Sequence, residues 1–377
     1  MVKEKYQSLF EALQFQNGVE LKNRIVMAPL TNYSSNEDGT VSDDEVNYYI
    51  RRSKGVGMVI TACTYVTDSG KGFPGEFSAT SDNMIPSLRR LATAIKEQGA
   101  KAVLQIFHAG RKSPASLVPN GDVVSASDYL ENGEQVARAL TEEEIQNIIR
   151  GYGETTRRAI EAGFDGVEIH GANYYLIHQF FSGHTNKRQD KWGGTVQQRM
   201  TFPLAVVDEV KRIVTTHATN DFIVGYRFSP EEEFEDGFTM DDTFHLVDAL
   251  ADRELDYLHV SLQDFWSKPR RGGDSTRTRM EQIQERVNDK TILIGVGSIL
   301  TADDALKAKQ SGIPLLALGR SIIIEPDWVQ KIEGGKEETI LVTVRRDAQQ
   351  ELEIPTPLWN RIWNVAGWFP VEVEENV

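Results

Sequence analysis

Short unbroken runs of apolar residues recur along this chain, and most are followed by a stretch with the 3.6-residue period of an amphipathic helix. The runs lie at 24–29, 57–66, 102–107, from 167 onward, and at 222–229, 257–262, 291–296 and 315–318. Helical patterns cover 43–54, 85–99, 141–162, 196–216, 241–253, 302–310 and 327–332. Continuous Val/Ile/Leu runs mark strands buried on both faces. The helix ends agree with the pattern. Segment 43–54 has an acidic first turn and a basic last turn, 85–99 closes on a glycine, and Thr141-Glu142-Glu143-Glu144 is a capping box. Eight strand–helix units in roughly 300 residues predict a TIM (β/α)8 barrel. A doubly wound open sheet would need fewer strands or a second domain.

Other patterns fall outside the repeat. Asn17-Gly18 between alternating residues predicts an N-terminal hairpin. The runs Ile340-Leu341-Val342-Thr343-Val344 and Glu351-Leu352-Glu353-Ile354 predict an appended C-terminal β-hairpin. The barrel is therefore placed at 1–336, and a C-terminal extension packed on it at 337–377. Segment 114–139, with its Pro, Gly, Asn and Ser, is too long for an ordinary connection and predicts a functional excursion beside a site.

Composition narrows the function. Of 377 residues, 40% are hydrophobic and 26% charged, the profile of a soluble globular protein, and the net charge is −15. Repulsion from phosphates and the lack of a basic block argue against nucleic acid. No apolar run approaches the ~20 residues that span a bilayer, so no membrane partner is expected. A lone cysteine, Cys63, excludes a disulfide framework and favours a cytoplasmic location. A homo-oligomer is compatible with all of this.

In a barrel of this kind ligands bind at the C-terminal ends of the strands. Those positions carry Ala28-Pro29-Leu30-Thr31 with Tyr33, Ala62-Cys63, Gln105, His170 with Asn173 and Tyr175, Arg227, Gly295-Val296-Gly297-Ser298, and Gly319-Arg320. Glycines after strands seven and eight suit a phosphate held by backbone N–H groups, and Arg320 adds a fork of donors. Gly-x-Gly-x-x-Leu at 295–300 lacks the third glycine of a dinucleotide fingerprint and reads as part of that cup. Arg227, on an apolar strand, needs compensation. Either a structural ion pair or a bound group that becomes anionic supplies it.

Several longer stretches carry a resemblance. They are Asn23-Arg24-Ile25-Val26-Met27-Ala28-Pro29-Leu30-Thr31, Gln105-Ile106-Phe107-His108-Ala109-Gly110-Arg111, and Gly163 through Tyr175. With them go His178-Gln179-Phe180-Phe181-Ser182, Asn186 through Gly194, Arg227-Phe228-Ser229 and Gly319-Arg320. Together, in this order, they make the chain similar to the Old Yellow Enzyme family of FMN-dependent oxidoreductases over about residues 8–335. The resemblance implies FMN at the barrel mouth. Pro29, Leu30 and Thr31 would line its ring, with Thr31 near O4/N5. Ala62 and Gln105 would contact its polar edge, and Arg227 the edge that becomes negative on reduction. Gly297, Ser298, Gly319 and Arg320 would take the phosphate. His170 and Asn173 would bind a substrate carbonyl, Tyr175 would donate a proton, and Tyr33 would line the substrate pocket. NADH or NADPH would be the co-substrate, and a small electron-poor acceptor such as an α,β-unsaturated carbonyl would be reduced by a ping-pong mechanism.

Some positions depart from the family's commonest pattern. Thr31 stands where some members carry cysteine, Asn173 where some carry a second histidine, and Gly183 where proline is usual. The tail does not match members that place an arginine in a neighbour's site, which leaves the place of Arg361 open. Cys63 reads as a packed core thiol, Tyr174 as packing and Glu231 to Asp236 as a solvated loop. His170, His178 and His184 lack a ligand spacing, so no metal is expected. Two other readings remain: a lyase binding a phosphorylated substrate at the strand 7–8 cup, which lacks an obvious Schiff-base lysine, and a flavin-binding or sensing protein without turnover.

Overall fold

The computed structural model describes residues 1–288 and 290–372. Residues 289 and 373–377, the last of them part of the expected extension, lie outside this description. The chain opens with the hairpin β1 (Leu13–Gln14) and β2 (Glu20–Leu21), paired antiparallel around Asn17-Gly18. Then come β3 (Ile25–Met27), α1 (Asp43–Ser53), β4 (Met58–Tyr65), α2 (Ile85–Glu97) and β5 (Lys101–Phe107). The excursion holds β6 (Val124–Ser125), β7 (Tyr129–Glu131) and β8 (Glu134–Ala139), a small sheet in the order β6-β8-β7. The repeat resumes with α3 (Glu142–Ala162), β9 (Gly166–Gly171), α4 (Leu176–Phe181), α5 (Val196–Arg199), α6 (Thr201–His217), β10 (Ile223–Phe228), α7 (Met240–Ala251) and β11 (Tyr257–Val260). It ends with α8 (Arg279–Val287), β12 (Ile292–Val296), α9 (Ala302–Gln310), β13 (Leu315–Leu318), α10 (Arg320–Ile324), α11 (Trp328–Glu333) and α12 (Thr356–Asn364).

Eight parallel strands close on themselves in the order β3-β4-β5-β9-β10-β11-β12-β13, with β13 pairing back onto β3. This is the expected TIM barrel. Its interior floor is filled by Val26, Met58, Ile60, Val103, Ile223, Tyr257, Ile294 and Leu315, and the hairpin adds Leu13, Phe15 and Leu21 to the same cluster. The hairpin thus plugs the end opposite the strand tips, and burying Phe15 alone stabilises by ~1.5–3 kcal/mol. A second, larger layer packs the outer faces of the strands against the helices.

Capping boxes start α1, α3, α5, α7, α8 and α9, from Ser42, Thr141, Thr195, Thr239, Thr278 and Thr301. Each fixes where a loop ends, so the strand-to-helix loops that build the mouth have set lengths.

One floor position has no room for a side chain. A Cβ on Gly225 would lie 2.1 Å from the ring of buried Tyr257, its register partner on β11. Gly225→Ala is expected to cost about 1–3 kcal/mol by overpacking, read as a lower midpoint in thermal melting. An unchanged midpoint would show that Tyr257 is free to move.

The C-terminal β-hairpin is not formed. After a short turn at Glu337–Thr339 the chain is irregular, apart from one bridge between Val344 and Val371, and then enters α12. Apart from that bridge, the apolar residues described in this tail do not pair as strands. Val344, Ala348, Leu352, Ile354, Leu358 and Ile362 bury instead in the same layer as the barrel helices, while Leu341 and Val342 stay partly exposed. Tertiary packing has overridden β-propensity here.

Candidate active site

The strand tips surround a cleft of about 920 Å³, near the upper end of what small-molecule sites occupy. Pro29, Leu30, Thr31, Tyr33, Gln105, His170, Asn173, Tyr175, Arg227, Gly297, Ser298, Gly319 and Arg320 all line it. Of the residues expected to contact cofactor or substrate, Ala62 does not line it. β4 shifts register between Ile60 and Cys63, and such a bulge re-aims the side chains beyond it. Met58 and Ile60 therefore face the floor, Ala62 faces the helices, and Cys63 takes the place on the cleft wall. The Ala62 amide donates to Tyr49 Oη at 2.7 Å.

The barrel axis below the cleft is polar. Glu168 accepts from Gln105 Nε2 at 2.7 Å and from His259 Nδ1 at 2.8 Å. Burial alone would push the Glu168 carboxyl up, but His259 and Arg227 beside it hold it below the usual range. Burial lowers His259, outweighing Glu168, so the imidazole donates while neutral. Arg227 pairs in register with His170 and His259. Its Nε is buried with no partner. A buried guanidinium N–H left unpaired is costly. Arg227 shares its charge with Glu168 and still has a donor to offer, which fits a group with negative or carbonyl character.

A second set of groups comes from the loop after β9. Asn173 and Tyr174 both have left-handed backbones, with φ of 59° and 65°. That turn is pinned by the Asn173 amide donating to Ser229 Oγ at 3.0 Å. His170 Nδ1 accepts from the Ala172 amide at 3.2 Å, so the ring's proton belongs on Nε2. Burial, with Arg227 nearby, drives the His170 pKa well below its ordinary value and keeps the ring neutral. Ser261 Oγ donates to Asn173 Oδ1 at 2.9 Å, which leaves the Asn173 NH2 as a free donor. Tyr175 packs edge-on to Phe107 and His170, each with centroids 5.0 Å apart. Burial raises its phenol well above the usual range.

The end of the cleft expected to take a phosphate is shaped by backbone. Gly297 has φ 139°, and a Cβ there would lie 2.3 Å from the Phe265 amide nitrogen. Only glycine allows that approach. Arg320 donates to Ser298 Oγ at 2.7 Å and to the Trp368 carbonyl at 3.0 Å. Ala366, Gly367 and Trp368 thus reach the cleft from the tail. Arg361, on α12, stands 4.0 Å above the ring of Tyr33 in its own chain. The cleft has a cationic and glycine-lined end, a floor with an unused guanidinium N–H, and donors on the opposite wall. FMN fits this donor set.

Two expectations about neighbouring residues need correction or detail. Glu231 to Asp236 is not simply a solvated loop. Glu231 makes a buried ion pair with Arg279. Glu232, 1% exposed, accepts from His178 Nε2 at 3.0 Å, from Ser182 and from the Phe238 amide. The acidic side chains hold the β10 loop to α4. Arg188, in the 187–190 loop, pairs with Asp190 and donates to the carbonyls of Ala126 and Leu140, pinning the excursion.

The chain resembles characterised proteins along nearly its whole length. A family model described as the NADH:flavin oxidoreductase / NADH oxidase family matches residues 8–339. A relative named probable NADH-dependent flavin oxidoreductase YqiG, from Bacillus subtilis (strain 168), is 56% identical over 97% of this chain and 98% of its own length. The NADH:acrylate oxidoreductase of Vibrio harveyi is 41% identical over 93% of this chain, which spans only 35% of that longer protein. Among solved structures, morphinone reductase in complex with tetrahydroNAD superposes with a TM-score of 0.75 at 28% identity, covering 87% of this chain and 91% of that one. The chain belongs to the NADH:flavin oxidoreductase / NADH oxidase family, as an enzyme with FMN as cofactor and NADH or NADPH as co-substrate.

Proposed function

We propose that this cleft reduces electron-poor alkenes, foremost α,β-unsaturated carbonyl compounds, in two half-reactions that share one site. The observation that carries the reading is the convergence of two neutral donors and one un-ionised phenol: His170 Nε2, the Asn173 NH2 and Tyr175 Oη. When bound, FMN supplies two-electron transfer from reduced nicotinamide to the acceptor. His170 and Asn173 bind the acceptor's carbonyl oxygen and stabilise the negative charge that builds there. Both are fixed beforehand, so no reorganisation opposes them. Tyr175 gives its proton to the neighbouring carbon, for which a phenol is acid enough. Gln105 and Arg227 hold the cofactor's polar edge, Pro29, Leu30 and Thr31 its ring, and Gly297, Ser298, Gly319 and Arg320 its phosphate. Cys63 takes the wall position expected of Ala62.

Arg361 above Tyr33 adds a cation at the mouth, which suits an acceptor that also carries a carboxylate. Acrylate, which names the Vibrio harveyi relative, is one such acceptor to try. A Schiff-base lyase has less to work with, because no lysine is among the described lining residues.

Anaerobic titration tests the reading. NADH or NADPH is expected to bleach the visible flavin band of the purified protein, and 2-cyclohexenone to restore it. Bleaching that no enone, quinone or nitro compound reverses would leave a flavin-binding protein without turnover.

A further inference from the structure

One carboxylate on the barrel axis has no direct part in the chemistry above. Glu168 lies on β9 and is buried. Its register partners are Gln105 on β5 and Gly225 on β10. Gly225 has no side chain, so the carboxylate reaches across β10 to His259 on β11. One oxygen accepts from Gln105 Nε2 at 2.7 Å and the other from His259 Nδ1 at 2.8 Å. A buried charge is costly unless each lone pair finds a donor and a counter-charge stands near. Burial opposes the charge on Glu168, but His259 and Arg227 outweigh burial and keep it ionised.

The consequence falls on Gln105. A primary amide can turn either its oxygen or its NH2 toward a neighbour. A carboxylate only accepts. Glu168 therefore holds the Gln105 NH2 to itself and leaves Oε1 for the cleft that Gln105 lines. Among the described residues no donor is bonded to that oxygen. Across β9, Arg227 has the reverse polarity, an N–H without a partner. One acceptor and one donor side by side complement an imide edge, in which an N–H stands next to a C=O.

We propose that Glu168 is a positioning residue that locks the Gln105 amide with its oxygen, not its NH2, toward the cofactor, and so selects a ring edge carrying an N–H. The inference rests on the reading of Gln105 as a contact of bound FMN. It gives a residue that touches neither cofactor nor substrate control over which ring edge the cleft accepts.

The test compares FMN with its 3-methyl analogue, in which the ring N–H is blocked, by fluorescence titration of the apoprotein, with melting curves alongside. Wild type is expected to prefer FMN. Glu168→Met frees the Gln105 amide to turn and is expected to shrink that preference about tenfold, the worth of one hydrogen bond. A purely structural role would weaken both ligands by the same factor and leave the preference unchanged, which would overturn the proposal. In a Gln105→Ala background the Glu168 change is expected to leave the preference where it is. A Gln105→Ala preference equal to wild type would instead refute the contact between Gln105 and the cofactor. If Glu168→Met does not fold, 15N-glutamine NMR of the wild-type protein decides. The Gln105 NH2 signal, identified by its loss in Gln105→Ala, is expected at the downfield position of a carboxylate-bound amide both before and after FMN is added. A signal that reaches that position only with FMN overturns the proposal.

Discussion

Tyr175→Phe is expected to slow reoxidation by an activated alkene by about 10²–10⁴-fold, the usual contribution of a positioned general acid, while reduction by NADH or NADPH keeps its rate. The asymmetry follows from what the substitution removes. Tyr175 packs through its ring, edge-on to Phe107, Phe73 and His170, and phenylalanine keeps those contacts. The phenol oxygen has no protein hydrogen-bond partner to orphan among those described, and its proton is held firmly because burial raises the pKa. Only the reaction that ends in a carbon–hydrogen bond needs that proton. Stopped-flow measurement of the two half-reactions separates the cases, and equal slowing of both would strip Tyr175 of its assigned role.

His170→Ala and Asn173→Ala are each expected to reduce the alkene half-reaction by about 10²–10³-fold, as loss of one oxyanion donor does elsewhere. Ser261→Ala should cost less, because Ser261 only orients the Asn173 amide through its Oδ1. The pH profile provides a second check. His170 is already neutral, with burial and Arg227 driving its pKa down from the ordinary value. Tyr175 is already protonated, with burial driving its pKa up. Neither shift brings a titration toward neutrality, so the alkene half-reaction should be flat between about pH 6 and 9. A bell centred near neutrality would mean that the working donor is an imidazolium or that the acid is a different group.

Much of the barrel was legible because its strands are buried on both faces and its helices are capped by local side chains. The run at 315–318 reads as a strand in any context, and Thr141 with Glu144 starts a helix by bonds within four residues. The loop proposed to be catalytic was legible for another reason: His170, Asn173 and Tyr175 are close in sequence as well as in space. What failed depended on distant partners. The resemblance puts Ala62 at the cofactor's polar edge, and only pairing with β5 reveals the bulge that turns the Cys63 side chain toward the cleft. Glu231 and Glu232 look like solvated charge until Arg279 and His178 arrive from other elements. Ser261 was missed although the rule that locates sites at strand tips points straight to the end of β11. The Ile340–Val344 run has strand composition, but among the described residues it makes only a single bridge, from Val344 to Val371.

The pairing of β13 with β3 has a further consequence, for the order in which the molecule is made. Leu316 meets Ile25 and Leu318 meets Met27, so the ring joins nearly the first strand to the last. Such distant contacts carry the full entropy of loop closure before they return any stability, and they fold slowly. A nascent chain stopped before residue 315 holds Thr31 on one open edge and has no Gly319 or Arg320 on the other. Residues 366–368, which complete the wall, are made later still. The cleft proposed to hold the flavin is therefore incomplete until residues well beyond 315 are made, and a barrel halted at seven strands is expected to take up no cofactor.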